Sequence, residues 1–283
     1  MTTEILDSRS YRAVRRADGL RLAHCRCCAD VGDPVVDEQH GAFSVTVVER
    51  GAFTYRSRTG RGSLRAGWLM LGNEGEGYAC SHEDGDGSGD DCVSLSLSAP
   101  LLEDALSALG VPGRRLAFPR ACLPPSPRVS ALLGALREEG GEGFALEEAA
   151  LAVVAEVRRA LDGLDGAAAA PRDDDRAHVA ARLMEARAAE ALALDDVAQA
   201  VGLSAFHLLR VFQRAIGLTP HQYLMRVRLL RAMALLRDTR RPVIDIAYDA
   251  GWADLSNFNR AFRRELRCSP REFRRGDRKL LGD

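Results

Sequence analysis

Between residues 11 and 98 the apolar and polar positions alternate in short runs: FSVTVVE at 43–49, FTYRSR at 53–58, WLMLG at 68–72, YACS at 78–81 and VSLSLS at 93–98. In the last of these Val93, Leu95 and Leu97 alternate with serines, the period of two that places one set on a buried face. Glycines at 51, 60 and 62 punctuate the runs. Short strands at this spacing predict a small jelly roll or barrel. From residue 100 the period lengthens. LLEDALSALG, PRVSALLGALREEG and FALEEAALAVVAEVRRALDGL carry apolar residues three and four apart and stop at Gly110, Gly140 and Gly163, which predicts three helices covering one face of the β domain. Residues 166–173 read as a linker, with Pro171 disfavouring helix just before it. The expected fold is α+β: a β-rich domain over 1–165 with a helical segment at 100–163, the linker, and an all-α domain over 174–283.

One pattern in the last domain occurs twice. DDVAQAVGLSAFHLLRVFQRAIGLTPHQY at 195–223 aligns with IDIAYDAGWADLSNFNRAFRRELRCSPREF at 244–273. Asp196-Val197-Ala198 matches Asp245-Ile246-Ala247, and Gly202-Leu203 matches Gly251-Trp252. One extra residue then enters the second copy, so that Phe212 matches Phe262, Pro220 matches Pro270 and Tyr223 matches Phe273. A duplicated supersecondary unit is the simplest reading. Each copy has the grammar of a helix-turn-helix: a short helix with a central Ala that permits close crossing, a Gly that ends it, and a second amphipathic helix. In the first copy Phe206, Leu208 or Leu209, and Phe212 offer the apolar stripe, with Arg210, Gln213 and Arg214 facing away. In the second, Phe258 and Phe262 lie four apart, with Asn259, Arg260, Arg263 and Arg264 around them. HQYLMRVRLLRAMALLR at 221–237 is a connecting helix, apolar on more than one side.

The stretch from about 174 to 275 resembles the DNA-binding domain of AraC-type transcriptional regulators. The run Asp245-Ile246-Ala247, Gly251-Trp252, Asn257-Phe258, Arg260, Phe262, Ser269-Pro270 and Phe273-Arg274 carries the resemblance. It implies two helix-turn-helix units joined by one long helix and reading double-stranded DNA. Phe206, Leu209 and Arg210 in the first unit, and Ser256, Asn257 and Arg260 in the second, occupy the groove-facing positions. Arg214, Arg263 and Arg264 suit phosphates, which position the protein without specifying sequence. The two reading helices are expected in successive major grooves about 34 Å apart. The resemblance also implies RNA polymerase contact and a homodimer formed through a helical pair beside the sensor half. Arg267 stands where the family usually has a glycine, and Leu209 where the residue is often polar. The run from Glu49-Arg50-Gly51 through Ala66-Gly67-Trp68-Leu69-Met70-Leu71 resembles the cupin-like sensor half of many such regulators.

Charge sharpens the division. The 283 residues carry a net charge of −1, yet 172–283 holds 21 Lys and Arg against 15 Asp and Glu, or +6, leaving −7 on the rest. A basic tail on an acidic front fits a nucleic-acid reader attached to something that is not one. No apolar run approaches the ~20 residues of a membrane span, and MTTEILDSRS lacks a basic-then-apolar signal, so the expected compartment is the cytoplasm. The seven cysteines are then expected to be reduced.

Three histidines, His24, His40 and His82, lie in the front half without a His-x-His pair, which speaks against a catalytic cupin and for a non-enzyme. The cysteines are more suggestive. On strands Cys25 and Cys27 share a face, as do Cys80 and His82. The loop 83–91 can return Cys92 beside Cys80. Cys80, His82 and Cys92, completed by Cys25 or Cys27, would suit zinc or another thiophilic metal. They would equally suit an oxidation sensor built on an exposed low-pKa thiolate, or simply pack as small hydrophobes. The expected function is a DNA-binding transcriptional regulator under a small-molecule, metal or redox effector. The alternatives are a cupin-type metal-dependent enzyme fused to a DNA-binding tail and a protein-binding adaptor.

Overall fold

The alternation of the N-terminal half becomes two antiparallel sheets in the computed structural model. It describes residues 3–276 apart from 7–8, 30–32, 34, 83–88, 109–116, 139–142 and 164–170. The chain divides into two units, 1–160 and 161–283.

The first unit holds β1 (Thr3–Leu6), β2 (Arg9–Ala17), β3 (Leu20–Cys27), β4 (Val36–Gln39), β5 (Phe43–Arg50), β6 (Ala52–Ser57), β7 (Gly60–Arg65), β8 (Leu69–Gly72), β9 (Gly77–Ser81), β10 (Asp90–Leu97) and β11 (Cys122–Leu123). Its helices are α1 (Ala99–Ala108), α2 (Pro127–Glu138) and α3 (Gly143–Asp162). Seven strands form one sheet in the order β1-β2-β3-β10-β5-β8-β11, and four form the other in the order β4-β9-β6-β7. Strand β5 lies between β10 and β8, and Phe43 to Val48 are all buried, so both of its faces are covered. The register pairs Leu95 with Val45 and Ser94 with Thr46. The strands therefore present an apolar set, Val45, Val47, Val93 and Leu95, to one face and a hydroxyl set, Ser44, Thr46, Ser94 and Ser96, to the other. Thr46 Oγ1 donates to Ser94 Oγ at 2.9 Å across the second face. Helix α2 packs against β5 and β10 and is tied to α3 by an Arg128–Glu156 ion pair.

The two sheets are not closed on one another into the expected barrel, since no ladder joins them among the described residues. Strands β1 to β4, β7 and β11 lie outside the runs named from the sequence pattern. Strand β2 is rich in arginine. Strand β7, GRGSLR, looks like a turn but pairs with β6 from Ser57–Gly60 to Ala52–Arg65. Gly62 sits in β7 because a Cβ there would lie 2.4 Å from Cys122 Sγ.

The second unit contains α4 (Pro171–Ala186), α5 (Leu194–Ala200), α6 (Ala205–Ile216), α7 (Pro220–Asp238), α8 (Val243–Asp249), α9 (Leu255–Leu266) and α10 (Pro270–Arg275). The reading of 166–173 as linker is corrected from Pro171 onward, where the chain is already helical; 166–170 lie outside the described residues. Proline fits the first turn of a helix, where its missing N–H costs nothing, and Asp173 and Asp174 complement the positive end of the helix dipole. Among the described residues no helix is long and apolar enough to cross a membrane.

Candidate functional site

The sequence repeat is reproduced in local geometry. Helices α5 and α8 are offset by 49 residues and α6 and α9 by 50, with the extra residue falling in the turn between them. Gly202 and Gly251 both adopt a positive φ in that turn, 67° and 96°. Ser204 then caps α6 by accepting from the His207 N–H at 3.3 Å, and Asp254 caps α9 by accepting from the Asn257 N–H at 2.7 Å. Both second helices are followed by a capping box with proline at its start: Thr219 with Gln222, and Ser269 with Glu272. Phe212 meets Tyr223 edge-on at 5.4 Å and 75°, and Phe262 meets Phe273 at 5.5 Å and 76°. These two contacts lock each second helix to the helix that follows it.

The residues that end α6 and α9 differ. Gly217 ends α6 at φ 84° and Arg267 ends α9 at φ 61°, the one non-glycine among the described residues with positive φ. A left-handed residue with a Cβ costs roughly 1–2 kcal/mol, partly offset by the greater freedom glycine has when unfolded. Arg267→Gly is therefore expected to stabilise the second unit by about 0.5–1 kcal/mol. Slower hydrogen exchange in α9 and α10 would show this, and faster exchange there would contradict it.

The buried side of α6 is Leu208, Val211, Phe212 and Ile216, and that of α9 is Phe258, Ala261, Phe262 and Leu266. The assignment of Phe206 to the apolar stripe is corrected: its side chain is 78% exposed. Its place on the helix is the one predicted for groove contact, and Leu209, 36% exposed, and Arg210 share its exposure. In α9, Ser256, Asn257, Arg260, Arg263 and Arg264 are all exposed. The N-cap and two polar residues of the second helix form a chain at three-residue spacing: Asn257 Nδ2 donates to Asp254, and Arg260 Nη2 donates to Asn257 Oδ1. The chain holds the Asn257 amide and the Arg260 guanidinium together on the open face. Arg214 is exposed as well, and Asp173 of α4 pairs with it at 3.3 Å. A linker over 166–173 would offer no positioned carboxylate, so the sequence does not signal that pair.

The first unit brings the cysteines together differently from the reading. A cavity of about 830 Å³ lies between the two sheets, lined among others by Cys25, Cys27, Cys80, Cys92 and the hydroxyl set. Cys27 and Asp90 belong to its wall, and the thiol of Cys27, the imidazole of His82 and the carboxylate of Asp90 have ligand-capable atoms all within 4.8 Å of one another, with all three side chains buried. His82 Nε2 is 2.8 Å from Asp90 Oδ2. Bonding to Asp90 first, and to Cys27, raises the imidazole pKa to about 9. Cys92 donates its thiol to Asp90 Oδ1 at 3.2 Å, and burial pushes that thiol well above its usual range. It is thus a buried, protonated thiol, opposite to the exposed thiolate an oxidation sensor needs. Cys25 is the cross-strand partner of Cys92, and Cys80 lines the cavity without joining the trio. Asp90 was missed because it belongs to an acidic, glycine-rich run that reads as solvated. Its two-residue spacing from Cys92, matching that of Cys25 and Cys27, was the available signal.

Residues 197–276 match the protein family described as "Helix-turn-helix domain". The chain is similar to the HTH-type transcriptional activator RhaS of Enterobacter sp. (strain 638), with 44% identity over 93 residues covering 33% of this chain and 34% of that protein. It is also similar to RhaS of Citrobacter koseri, with 38% identity over 118 residues covering 42% and 41%. The match thus spans less than half the length of these relatives. Among solved structures, a transcriptional regulator with an AraC-type DNA-binding domain from Chromobacterium violaceum is 32% identical over 37% of this chain and 94% of its own, at a TM-score of 0.35. ToxT from Vibrio cholerae covers 91% of this chain and 98% of its own at 11% identity and a TM-score of 0.37.

Proposed function

We propose, from the premise that this chain belongs to the AraC family of transcriptional regulators through its C-terminal unit, that it binds duplex DNA with helices α6 and α9 and controls transcription under direction of its N-terminal unit. One observation carries the reading: the same cap, turn and capping-box geometry occurs twice, and in both copies the second helix leaves one side uncovered, polar and basic in α9 and in α6 a mix of Phe206 and Leu209 with Arg210, Gln213 and Arg214. A helix seated in the major groove needs that side free for base edges and phosphates.

Arg260 is assigned to a base edge, since Asn257 already orients its guanidinium on the reading face. Ser256 and Asn257 in α9, and Phe206, Leu209 and Arg210 in α6, complete the reading set. Arg263 and Arg264, near the end of α9, are assigned to phosphates together with Arg214, which must exchange Asp173 for DNA. Arg260→Ala is expected to cost roughly 1–3 kcal/mol and relax preference at one base pair. Arg264→Ala should weaken all sequences alike and flatten the dependence of log affinity on log salt by about one unit. Mobility shifts on a selected site and its single-base variants, repeated across salt, test both. Uniform loss for Arg260→Ala together with altered base preference for Arg264→Ala would overturn the assignments.

The N-terminal unit is read as the cupin-like sensor half. A half-open cavity of effector size between the two sheets supports this. Self-association through the α2 and α3 segment, contact with RNA polymerase and a cytoplasmic setting follow from the family premise.

A further inference from the structure

Cys27 is the last residue of β3, His82 follows β9, and Asp90 opens β10. Cys27 and Asp90 are cross-strand partners, so their side chains leave the sheet on one face. Gly89 makes that approach possible: it has φ 71°, and a Cβ there would stand 2.1 Å from the Cys27 carbonyl oxygen. Three elements from two sheets thus deliver one sulfur, one nitrogen and one oxygen donor to a single buried point.

We infer that Cys27, His82 and Asp90 form the binding site for one borderline-soft divalent cation of the zinc class. Sulfur, imidazole and carboxylate donors in equal number select such an ion over calcium or magnesium, which take oxygen alone. A thiolate and a carboxylate match the two positive charges, so the filled site is neutral and is not an uncompensated charge in a buried wall. Three protein ligands leave one position of a tetrahedron, and Cys27 and Asp90 both line the cavity, so that position opens toward it. Cys92 holds the second oxygen of Asp90 from behind, in the role of an outer partner that fixes a ligand's orientation. This ligand set replaces the combination of Cys80, His82 and Cys92 expected from spacing: Cys80 is left outside it, and Asp90 takes the place given to Cys92. The inference rests on the regulator reading only for its consequence, namely that an ion joining β3, β9 and β10 would couple the N-terminal unit to metal supply.

The test uses the full reduced chain, stripped with chelator and titrated with Zn2+ against a colorimetric competitor, then with Co2+ for its spectrum. No DNA is present, so failure here leaves the DNA-binding reading standing and failure of that reading leaves this result intact. The expected result is one equivalent per chain, and a thiolate-to-cobalt band that Cys27→Ser removes. Asp90→Asn and His82→Gln should weaken binding at least about ten-fold while circular dichroism stays that of the wild type. Cys80→Ser should bind as wild type does. A wild-type chain that takes up no stoichiometric ion, or that gives no thiolate band, overturns the site without recourse to any variant. So does Cys27→Ser binding as tightly as wild type.

Discussion

Gly251→Ala is expected to destabilise the C-terminal unit by about 3–5 kcal/mol, whereas Gly202→Ala at the matching position of the first repeat costs only about 1–2 kcal/mol. Both glycines sit in the turn before a reading helix, and both have positive φ. The backbone strain of an added Cβ is therefore common to the two. What differs is the space around them. A Cβ on Gly202 meets nothing within 4 Å, while one on Gly251 would lie 2.2 Å from the carbonyl oxygen of Ala188 and 2.8 Å from Nε of Arg228. That carbonyl is itself held by Arg228, whose Nε donates to it at 2.8 Å while Nη2 donates to the Glu190 carbonyl, also at 2.8 Å. Relief by a small side-chain shift is blocked, because the atom in the way is backbone anchored by a partly buried guanidinium. Gly251 is thus where the second helix-turn-helix packs against the segment that closes α4. Hydrogen exchange across 161–283 of the full chain checks the pair: Gly251→Ala should speed exchange throughout α5 to α9, and Gly202→Ala should speed it far less. Equal effects would contradict the packing argument.

The second large effect separates fold from function within one residue type. Phe262 is fully buried, with its ring 5.4 Å from Phe258 and 5.5 Å from Phe273, over which the Arg237 guanidinium lies at 5.0 Å. Phe262→Ala removes the centre of that stack and is expected to cost about 3–5 kcal/mol of stability. Phe206→Ala, at an exposed position on α6, should change stability by no more than about 0.5 kcal/mol, because little of the ring is removed from water in the free protein. Its effect should appear in DNA affinity instead, where the ring can cover a thymine methyl. Unfolding and mobility-shift measurements on the same two variants decide the matter. A Phe206→Ala protein that is markedly less stable but binds DNA unchanged would place that ring in a core, against the exposure described here.

The C-terminal unit was legible in the sequence because its determinants are local. Gly202 and Gly251, the caps Ser204 and Asp254, and the boxes opened by Thr219 and Ser269 each act within one turn of chain, and duplication lets one copy check the other. Periodicity alone failed at Phe206, since an apolar residue at the right spacing reads as core whether or not anything covers it. The N-terminal unit depends on partners far apart in sequence. Strand β7 is recognisable only through its ladder with β6, and nothing in the spacing of short strands says whether two sheets close into a barrel. The Cys27, His82 and Asp90 cluster has the same origin. Two of its members are joined by the register of β10 on β3, which no local pattern encodes. Arg214 and Asp173 show the smaller version of this effect: a helix that starts at Pro171 supplies a carboxylate where a linker was expected.

Both α6 and α9 are expected to enter the DNA. Hydroxyl-radical footprinting of the full chain on a site selected from random duplexes tests it directly. Two protected segments on one face of the helix, centred about 10 base pairs apart, are predicted, with Arg260→Ala weakening protection chiefly under one of them. A single protected segment that Arg260→Ala abolishes, with no second segment one turn away, would mean that one unit alone reads DNA, and would contradict the account.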